Sequence, residues 1–570
     1  MRDAEKGLKQ MTGARGWIVV AAALFLGLAG PLRAEEPGDS VVVEEGPVDT
    51  DAIFEFLVAE VAAQRGDTDG AIAIYTRLAR EMKDPAIAKR AVETAIRARA
   101  FGPAMESSML LLELDPDSAL AREIMAALLA SEGGLDKARD TLAGLLAKAE
   151  NRGPVLIQLS QLLAKFPDKD AVLDTVRSLT AKYPVAESHY AVGVAALIAK
   201  QPEVAGSEVD EALKMKPGWE QAAILKAQVL RHTTPDQVIA FYQGFVAANP
   251  EANEVRMQLG RELAADHRIA EARDQFSEVE KRAKNDSQAS YAVGLLSLQL
   301  EDYAPAQAAF DRALKENYRE PTAVYLGLGQ AAEGLKQYDE AIRWYQKVES
   351  SDWIRAQLKI ATLITRQQGL AAGREYLQKI DAQSTDDRIQ IIQVEAQLLR
   401  DAKEWQATYE MLSKAVDEYP DSYELLYDRA MAAERVDKLN VLESDLRKVI
   451  QMKPDYAHAY NALGYTLADR TNRLSEAKEL IDKAYKLAPD DPFILDSLGW
   501  VYFRLGNNPE ALKYLQIAYT SRSDPEIAAH LGEVLWTSGK HDEAQKIWRE
   551  ALVENPSHEA LLAVMQKHQP

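Results

Sequence analysis

The sequence predicts an all-α solenoid of stacked helical hairpins. Small residues recur every 33 to 35 positions, most apolar residues follow helical spacing, and sustained polar/apolar alternation is lacking. The recurring positions are Gly260, Ala272 and Phe276, repeated as Gly294, Ala306 and Phe310, and later Gly464, Ala477 and Ala484, repeated as Gly499, Ala511 and Ala518 and as Gly532, Ala544 and Ala551. A chain of 570 residues with this period can stack its repeats in a line, so no single large core has to form.

The first 34 residues are typical of a secretory signal peptide. A basic leading part precedes an apolar stretch at 17–29, and residues 32–34 offer a cleavage site before Glu35. The basic residues are Arg2, Lys6, Lys9 and Arg15. The apolar stretch is shorter than the roughly 20 residues that span a bilayer. An uncleaved signal that anchors the chain is the alternative, and Met11 is an alternative start.

Residues 35–51 are predicted to form a flexible acidic linker. They contain seven acidic residues, no basic residue and four helix breakers, Pro37, Gly38, Gly46 and Pro47. The whole chain has a net charge of -21. Nucleic acids and anionic lipid surfaces require basic patches, so this charge argues against both as partners. The charge instead suits partners that are basic, and the alternative is that it only keeps a long array soluble.

The repeat array is predicted to span residues 52–556 in about 15 repeats, some of them degenerate. The pattern is weak at 154–184 and again at 352–420, where Ala372 and Tyr376 are the remaining marks. Residues 557–570 are predicted to form a capping helix that covers the last apolar face. Glycine inside a helix costs about 1 kcal/mol relative to alanine, so its recurrence predicts a close approach of two helices.

The chain is predicted not to be an enzyme and to bind no metal or cofactor. We find no H-E-x-x-H motif, no nucleophile elbow and no phosphate-binding glycine loop. Because cysteine is absent, a thiolate metal site, a disulfide framework and N-terminal lipidation are excluded. His530 and His541 lie on successive predicted helices and are interpreted as surface residues.

The period and its small residues resemble the tetratricopeptide repeat over nearly the whole chain after the signal. In that family the hairpins form a right-handed superhelix, and the first helix of each hairpin lines a concave groove, which binds protein segments. The positions that the resemblance places on this groove in the last four repeats are Tyr427, Met431, Asn461, Tyr465, Asp496, Trp500, Phe503, Glu533 and Trp536. Aromatic side chains bury much area at low entropic cost, which suits recognition of a peptide or helix. The alternative is that some of them complete the packing of their own hairpins.

The C-terminal repeats resemble more specifically the long tetratricopeptide proteins of the proteobacterial envelope. The matching stretches read N-A-L-G-Y-T-L-A-D-R from Asn461, D-D-P-F-I-L-D-S-L-G-W-V-Y-F-R-L-G from Asp490, and D-P-E-I-A-A-H-L-G-E-V-L-W over 524–536. The opening of the first repeat, from Phe54 to Gly66, is also similar to this group. Its best-understood member is the lipoprotein adaptor that activates a carboxyl-terminal processing protease and presents cell-wall hydrolases to it.

The resemblance implies a periplasmic scaffold whose partners are such a protease and its hydrolase substrates. The absence of a lipid-bearing cysteine departs from the group, so membrane attachment is expected only through an uncleaved signal. An assembly factor for polysaccharide export or outer-membrane machinery is the alternative function. An enzyme of unrecognised type would need a non-repeat domain, for which only the weak segments leave room.

Overall fold

A computed structural model describes residues 50–131, 134–283 and 286–568 of the chain. Within these ranges the protein forms thirty-one α-helices and two single turns of 3-10 helix, and no β-strand. The predicted all-α repeat class is confirmed. The predicted signal peptide at 1–34, nearly all of the predicted linker at 35–51 and the last two residues lie outside the described residues.

The helices follow one another with short links. The first sixteen are α1 (Thr50–Gln64), α2 (Thr68–Met82), α3 (Pro85–Arg97), α4 (Phe101–Leu114), α5 (Ala119–Ser131), α6 (Leu135–Lys148), α7 (Gly153–Leu162), α8 (Lys169–Thr180), α9 (Ala186–Ile198), α10 (Pro202–Met215), α11 (Glu220–Thr233), α12 (Val238–Ala248), α13 (Asn253–Ala265), α14 (Ile269–Arg282), α15 (Ser287–Gln299) and α16 (Tyr303–Lys315). The remaining fifteen are α17 (Pro321–Gly334), α18 (Tyr338–Tyr345), α19 (Trp353–Gln368), α20 (Leu370–Gln378), α21 (Thr385–Asp401), α22 (Trp405–Glu418), α23 (Tyr423–Arg435), α24 (Leu439–Met452), α25 (Ala457–Arg470), α26 (Leu474–Leu487), α27 (Pro492–Arg504), α28 (Asn508–Ser521), α29 (Pro525–Thr537), α30 (His541–Glu554) and α31 (Glu559–Lys567).

The chain divides into two compact units. The described residues up to Asp302, with Arg312–Asn317, form the first unit, and Tyr303–Asp311 with the described residues from Tyr318 onward form the second. In order along the chain, α1–α30 make fifteen pairs of a first helix and a second helix, and α31 follows them. None of the described helices combines the length and the apolar character that crossing a membrane requires.

The recurring glycines allow the two helices of a hairpin to touch. A Cβ added at Gly499 on α27 would lie 2.5 Å from Leu515 on α28, and one at Gly464 would lie 2.6 Å from Ile481. In the first unit a Cβ at Gly260 would lie 2.7 Å from the ring of Phe276. Each glycine therefore faces a large residue 16 or 17 positions later on the second helix. This geometry explains why glycine persists in these helices despite its low helix propensity.

Ten hairpins share one turn geometry. A three-residue link joins the two helices, and its middle residue has the left-handed conformation that ends many helices. These middle residues are Gly66, Arg99, Lys200, His267, Glu301, Lys336, Lys403, Asp437, Gly506 and Gly539. At Glu301 the backbone N–H donates to the Leu298 carbonyl at 3.0 Å, and the next N–H donates to Ser297 at 2.8 Å. The link thereby satisfies carbonyls that the helix end leaves free.

Hairpins continue through both segments in which the sequence pattern is weak. In α7 the small residue is Ser160, which lies 33 positions before Gly193 and is fully buried. Its hydroxyl donates to the Ala191 carbonyl at 2.9 Å. In α19 and α20 the glycine has moved to the second helix, where Gly373 packs against Thr365. The predicted mark at Ala372 is therefore wrong by one residue.

The last helix, α31, packs on the fifteenth hairpin. Leu561 and Val564 are buried in a cluster with Leu535 of α29 and Trp548 of α30. Lys567 near the end of α31 donates to Glu533 of α29 at 2.5 Å. The helix therefore covers an apolar surface that would otherwise face solvent.

Candidate protein-binding surface

The predicted binding residues lie on four successive first helices of the second unit, α23, α25, α27 and α29. We call the surface formed by these helices the first-helix surface. The stacking of hairpins places the helices side by side, so residues about one repeat apart in the sequence become neighbours. Several of these neighbours are joined by polar contacts that the sequence alone did not predict.

Three of these helices meet at the ring of His530 on α29. Its Nδ1 lies 2.9 Å from Oδ2 of Asp496 on α27, and its Nε2 lies 3.2 Å from the hydroxyl of Tyr465 on α25. Both ring nitrogens therefore have partners. His530 is buried, so its predicted position on the surface is wrong. The ring sits between neighbouring hairpins and ties their first helices together.

Trp500 on α27 closes this cluster from the side. Its ring stacks on His530 with centroids 4.3 Å apart, and its indole N–H donates to Oδ1 of Asp469 on α25 at 3.2 Å. The guanidinium of Arg504 donates to the backbone carbonyl of Asp469 at 2.8 Å. A buried indole N–H that finds a partner is typical of a packed tryptophan.

The electrostatic environment of the cluster is acidic. Burial favours the neutral ring of His530, but the Asp496 carboxylate, with Glu526 and Asp469 nearby, outweighs it and raises the pKa of His530 above 6.5. Burial, followed by repulsion from the carboxylate of Asp469, raises the pKa of the Tyr465 hydroxyl. The carboxylates that surround the ring of His530 therefore favour its protonated form.

The predicted residues differ in how much surface they offer. Asp496 and Trp500 are only 5% and 7% exposed, so they pack between helices and supply little contact area. Tyr427, Met431 and Phe503 are half-buried and border solvent. Phe503 lies beside Trp500, with ring centroids 5.2 Å apart. These three side chains therefore belong to the accessible part of the first-helix surface, whereas Trp500 contributes little to it.

Tyr427 and Asn461 lie on neighbouring first helices, α23 and α25. The ring of Tyr427 meets the edge of Tyr456 with centroids 5.4 Å apart. Burial raises the pKa of the Tyr427 hydroxyl. The Oδ1 atom of Asn461 is buried and has no hydrogen-bond partner among the described residues. Neither residue joins the cluster around His530.

Glu533 and Trp536 form a separate group at the end of the unit. Trp536 stacks on His541 with centroids 4.2 Å apart and lies 5.9 Å from the Trp548 ring. Glu533 accepts from Lys567 of α31. The ring contacts join α29 to α30 within the last hairpin, and the contact between Glu533 and Lys567 joins α29 to α31, as the packing alternative describes. His541 is exposed, as predicted.

The contacts that sequence reasoning missed share a spacing. Asp469 and Trp500 are 31 residues apart, Asp496 and His530 are 34 apart, and Glu533 and Lys567 are 34 apart. A search for complementary polar residues one repeat apart would have found them. Among the described residues, no group of three or more His, Cys, Asp and Glu side chains is placed to hold a metal.

Comparisons with known proteins identify the repeat. One family model of the tetratricopeptide repeat matches residues 291–353 and 497–560, and a second matches residues 457–491. A TPR repeat-containing protein of Pseudomonas aeruginosa is 41% identical over 212 residues, which are 37% of this chain and 36% of that protein. Bacteriophage adsorption protein A of Escherichia coli is 32% identical over 74 residues, 13% of this chain and 7% of that protein. The matched part thus spans little more than a third of the first of these relatives.

Solved structures of tetratricopeptide proteins are also similar to this chain. One from Thermus thermophilus has 23% identity and a TM-score of 0.28, with 30% of this chain and 92% of that chain covered. One from Parabacteroides merdae has 14% identity and a TM-score of 0.32, with 49% and 97% covered. Arrays of this repeat generally act as non-catalytic scaffolds for protein–protein interaction. From the family models and the relatives together, this chain contains tetratricopeptide repeats.

Proposed function

We propose that this protein is a scaffold of the bacterial cell envelope that binds a partner protein on the first-helix surface of its second unit. The observation that carries the proposal is the set of half-buried apolar side chains on two first helices of the unit, Tyr427 and Met431 on α23 and Phe503 on α27. Such side chains gain contact area when a partner covers them, and their neighbours already hold them in place. The charge of the chain, -21, suits a partner with a basic surface.

The more specific proposal is an adaptor located in the periplasm. Its partner is a carboxyl-terminal processing protease, which the adaptor activates and supplies with cell-wall hydrolases. Support comes from the resemblance of the stretches at 461–470, 490–506 and 524–536 to envelope adaptors and from the signal-like leader at 1–34. A repeat array supports this role because it presents several surfaces along one chain.

The test uses the purified full chain and the processing protease of the same organism. We expect the wild type to bind the protease and to accelerate cleavage of a hydrolase substrate. Met431→Ala and Phe503→Ala should each weaken binding, because each removes apolar contact area at the proposed surface. Lys483→Ala is the matched control, since Lys483 is exposed on α26, a second helix. Binding that is equal in all three variants would refute this surface.

The alternative function, an assembly factor, predicts a different set of captured proteins. Affinity capture from envelope extract that repeatedly recovers polysaccharide export or outer-membrane assembly proteins, and no protease, would favour an assembly factor. Protease activity that does not change when the chain is added would refute the adaptor proposal even if binding occurs.

A further inference from the structure

The first helix, α1, is apolar on two sides. Its inner side packs on α2. On this side Ala59 of α1 is fully buried, and the ring of Phe56 lies 5.5 Å from the ring of Tyr75 on α2. Its outer side carries a continuous apolar stripe that is exposed, formed by Ile53, Phe54, Leu57, Val58 and Val61. A helix that is apolar all round is ordinarily buried. The stripe therefore calls for a partner that the single chain does not supply among its described residues.

The inner repeats show what normally covers these positions. Aligning Ala59 with Gly499 of α27 places Phe54 at the position of Ile494, Val58 at Leu498 and Val61 at Val501. The three α27 residues are 0%, 1% and 0% exposed. The three α1 residues are 67%, 40% and 45% exposed. The stripe on α1 is thus the face by which a first helix stacks on the hairpin before it.

The covering element in the inner repeats is a helix. Ile494 of α27 packs with Ala484 of α26, the second helix of the preceding hairpin. At the next repeat, Ile527 of α29 packs with Ala518 of α28 in the same way. Terminal repeats of soluble arrays normally turn a polar face outward. The α1 stripe carries apolar residues instead. We therefore expect it to be covered by the apolar face of another helix.

The sequence just before α1 does not predict such a helix. One repeat length upstream, the preceding second helix would fall within residues 35–49. That stretch carries Pro37, Gly38, Gly46 and Pro47, which are unfavourable inside a helix. The missing helix is therefore more readily supplied by another chain.

Charges around the stripe fit a second copy of α1 in antiparallel orientation. On the flanks, Glu55 pairs with Arg77 at 2.8 Å and Glu60 pairs with Arg90 at 2.6 Å. Both carboxylates are thus compensated within their own chain, which reduces repulsion between two acidic molecules. Asp51 lies near the start of α1 and Arg65 directly follows its end. Antiparallel pairing brings Asp51 of one copy beside Arg65 of the other.

We propose that the α1 stripe is the centre of a homodimer interface, in which two copies of α1 pack antiparallel about a two-fold axis near Val58. Phe54 of each copy then lies beside Val61 of the other. Such a self-complementary contact is the usual form of a two-fold dimer. A stable interface buries about 800 Å² on each partner, more than one short stripe provides. The dimer is therefore weak and depends on concentration.

The first test is the mass in solution of the full-length chain, produced with its own leader and purified as the cell processes it. Light scattering should show the mass of two chains at about 100 µM and a shift toward one chain at about 1 µM. Val58→Glu should weaken self-association at least about tenfold, because it places a charge in the apolar contact. Val553→Glu is the matched control, since Val553 is 83% exposed outside the stripe.

The second test uses the absence of cysteine in the chain. Val58→Cys should form a disulfide with its copy, because the axis passes close to it and facing Cα atoms come within bonding range. Val61→Cys is the matched control: its copy lies about 9 Å further along the helix direction, too far for a disulfide. Equal crosslinking of both variants would overturn the antiparallel arrangement. If the wild type remains a single chain at every concentration, the homodimer proposal is wrong. This holds whether the stripe is then covered by the leader of the same chain or by another protein.

Discussion

In the structure Trp500 packs between helices, although it was predicted to bind a partner. Its ring is nearly buried against His530, and its N–H donates to Asp469. Truncating a packed aromatic residue costs about 3–5 kcal/mol. We therefore expect Trp500→Ala to lower the unfolding free energy by about this amount. Denaturant unfolding followed by helical ellipticity checks it, and unchanged stability would return Trp500 to the list of binding residues.

A small buried residue between two hairpins allows a test in which the side chain is enlarged rather than truncated. Ala484 is fully buried between Ala457 of α25 and Ile494 of α27. Replacing Ala484 by leucine should overpack this joint and destabilise the fold by about 1–3 kcal/mol. The melting temperature is the measurement. Ala371→Leu serves as the control, because Ala371 is exposed on α20 and should tolerate the larger side chain.

His530 should make stability depend on pH. Its pKa in the folded chain is raised above the ordinary 6.5 by Asp496, so folding favours the protonated ring. This contribution is complete below pH 6.5 and is lost as the pH rises through the folded pKa. We expect the stability advantage of the wild type over His530→Gln to shrink between pH 6 and pH 9. Chemical denaturation across this range measures it.

The Asp496 carboxylate provides the control for this pH effect. In Asp496→Asn the strongest interaction that raises the pKa of His530 is gone. The pH dependence attributed to His530 should then diminish in this variant. If the advantage of the wild type over His530→Gln stays constant from pH 6 to pH 9, the ring does not change its charge state there, and the assignment is wrong.

The sequence predicted the small residues well but not the polar contacts. Gly464, Gly499 and Gly532 recur because a side chain at those points would collide with the facing helix, and such a steric requirement leaves a periodic mark. His530 and Asp469 leave no such mark, since each occurs once and depends on the residue one repeat away. A histidine with one carboxylate partner 34 positions away does not match any local motif.

Among the elements, the final helix shows how an array ends. Leu561 on α31 is fully buried against the fifteenth hairpin, whereas its neighbour Leu562 is 46% exposed. Leu561→Ala should cost about 2–5 kcal/mol of local stability, and Leu562→Ala should change little. Hydrogen exchange of the amides in α30 and α31 is the appropriate measurement, because unfolding at the end of an array is local.

The hairpins in the weak segments explain the limit of periodicity as a guide to elements. A hairpin needs a small side chain where its helices cross, but not a particular one. In α7 the corresponding position holds Ser160, whose hydroxyl bonds to α9 of the next hairpin, and in α20 Gly373 packs against Thr365 of α19. Both arrangements keep the close packing of the helices, but the glycine that the repeat pattern predicts is absent from its usual position. Helices therefore persist where the sequence pattern fades.

At the scale of the whole second unit, the path of the chain returns close to itself. Lys403, after α21, donates to Glu559 at the start of α31 across 156 residues at 3.0 Å. Both side chains are highly exposed, and exposed pairs contribute little. Lys403→Ala should therefore leave both the melting temperature and the radius of gyration unchanged, as calorimetry and solution scattering can establish. An expanded variant would show that this pair, rather than the stacking of hairpins, sets the curvature of the unit.

For the molecule as a whole, the sequence was sufficient to predict the fold class. It was less informative about which side chains form the accessible surface. The period, with its glycines and alanines, predicts an all-α array, because each repeat must solve the same packing problem. Which first-helix residues remain open depends on neighbours one repeat away. Asp496 and Trp500 are covered by such neighbours, whereas Phe503 borders solvent. This information is distributed over several repeats and cannot be obtained from one repeat alone.

The left-handed turns carry a consequence for how such a chain changes its length. Lys403 and Asp437 lie 34 residues apart, occupy the middle of equivalent links and both have φ of 58°. A deletion that joins these two points, or a duplication between them, reconnects the backbone in a conformation that it already adopts. One whole hairpin is then lost or gained while every remaining turn keeps its geometry. In evolution the reach of the scaffold can therefore change in whole repeats, with the turn acting as the point of recombination.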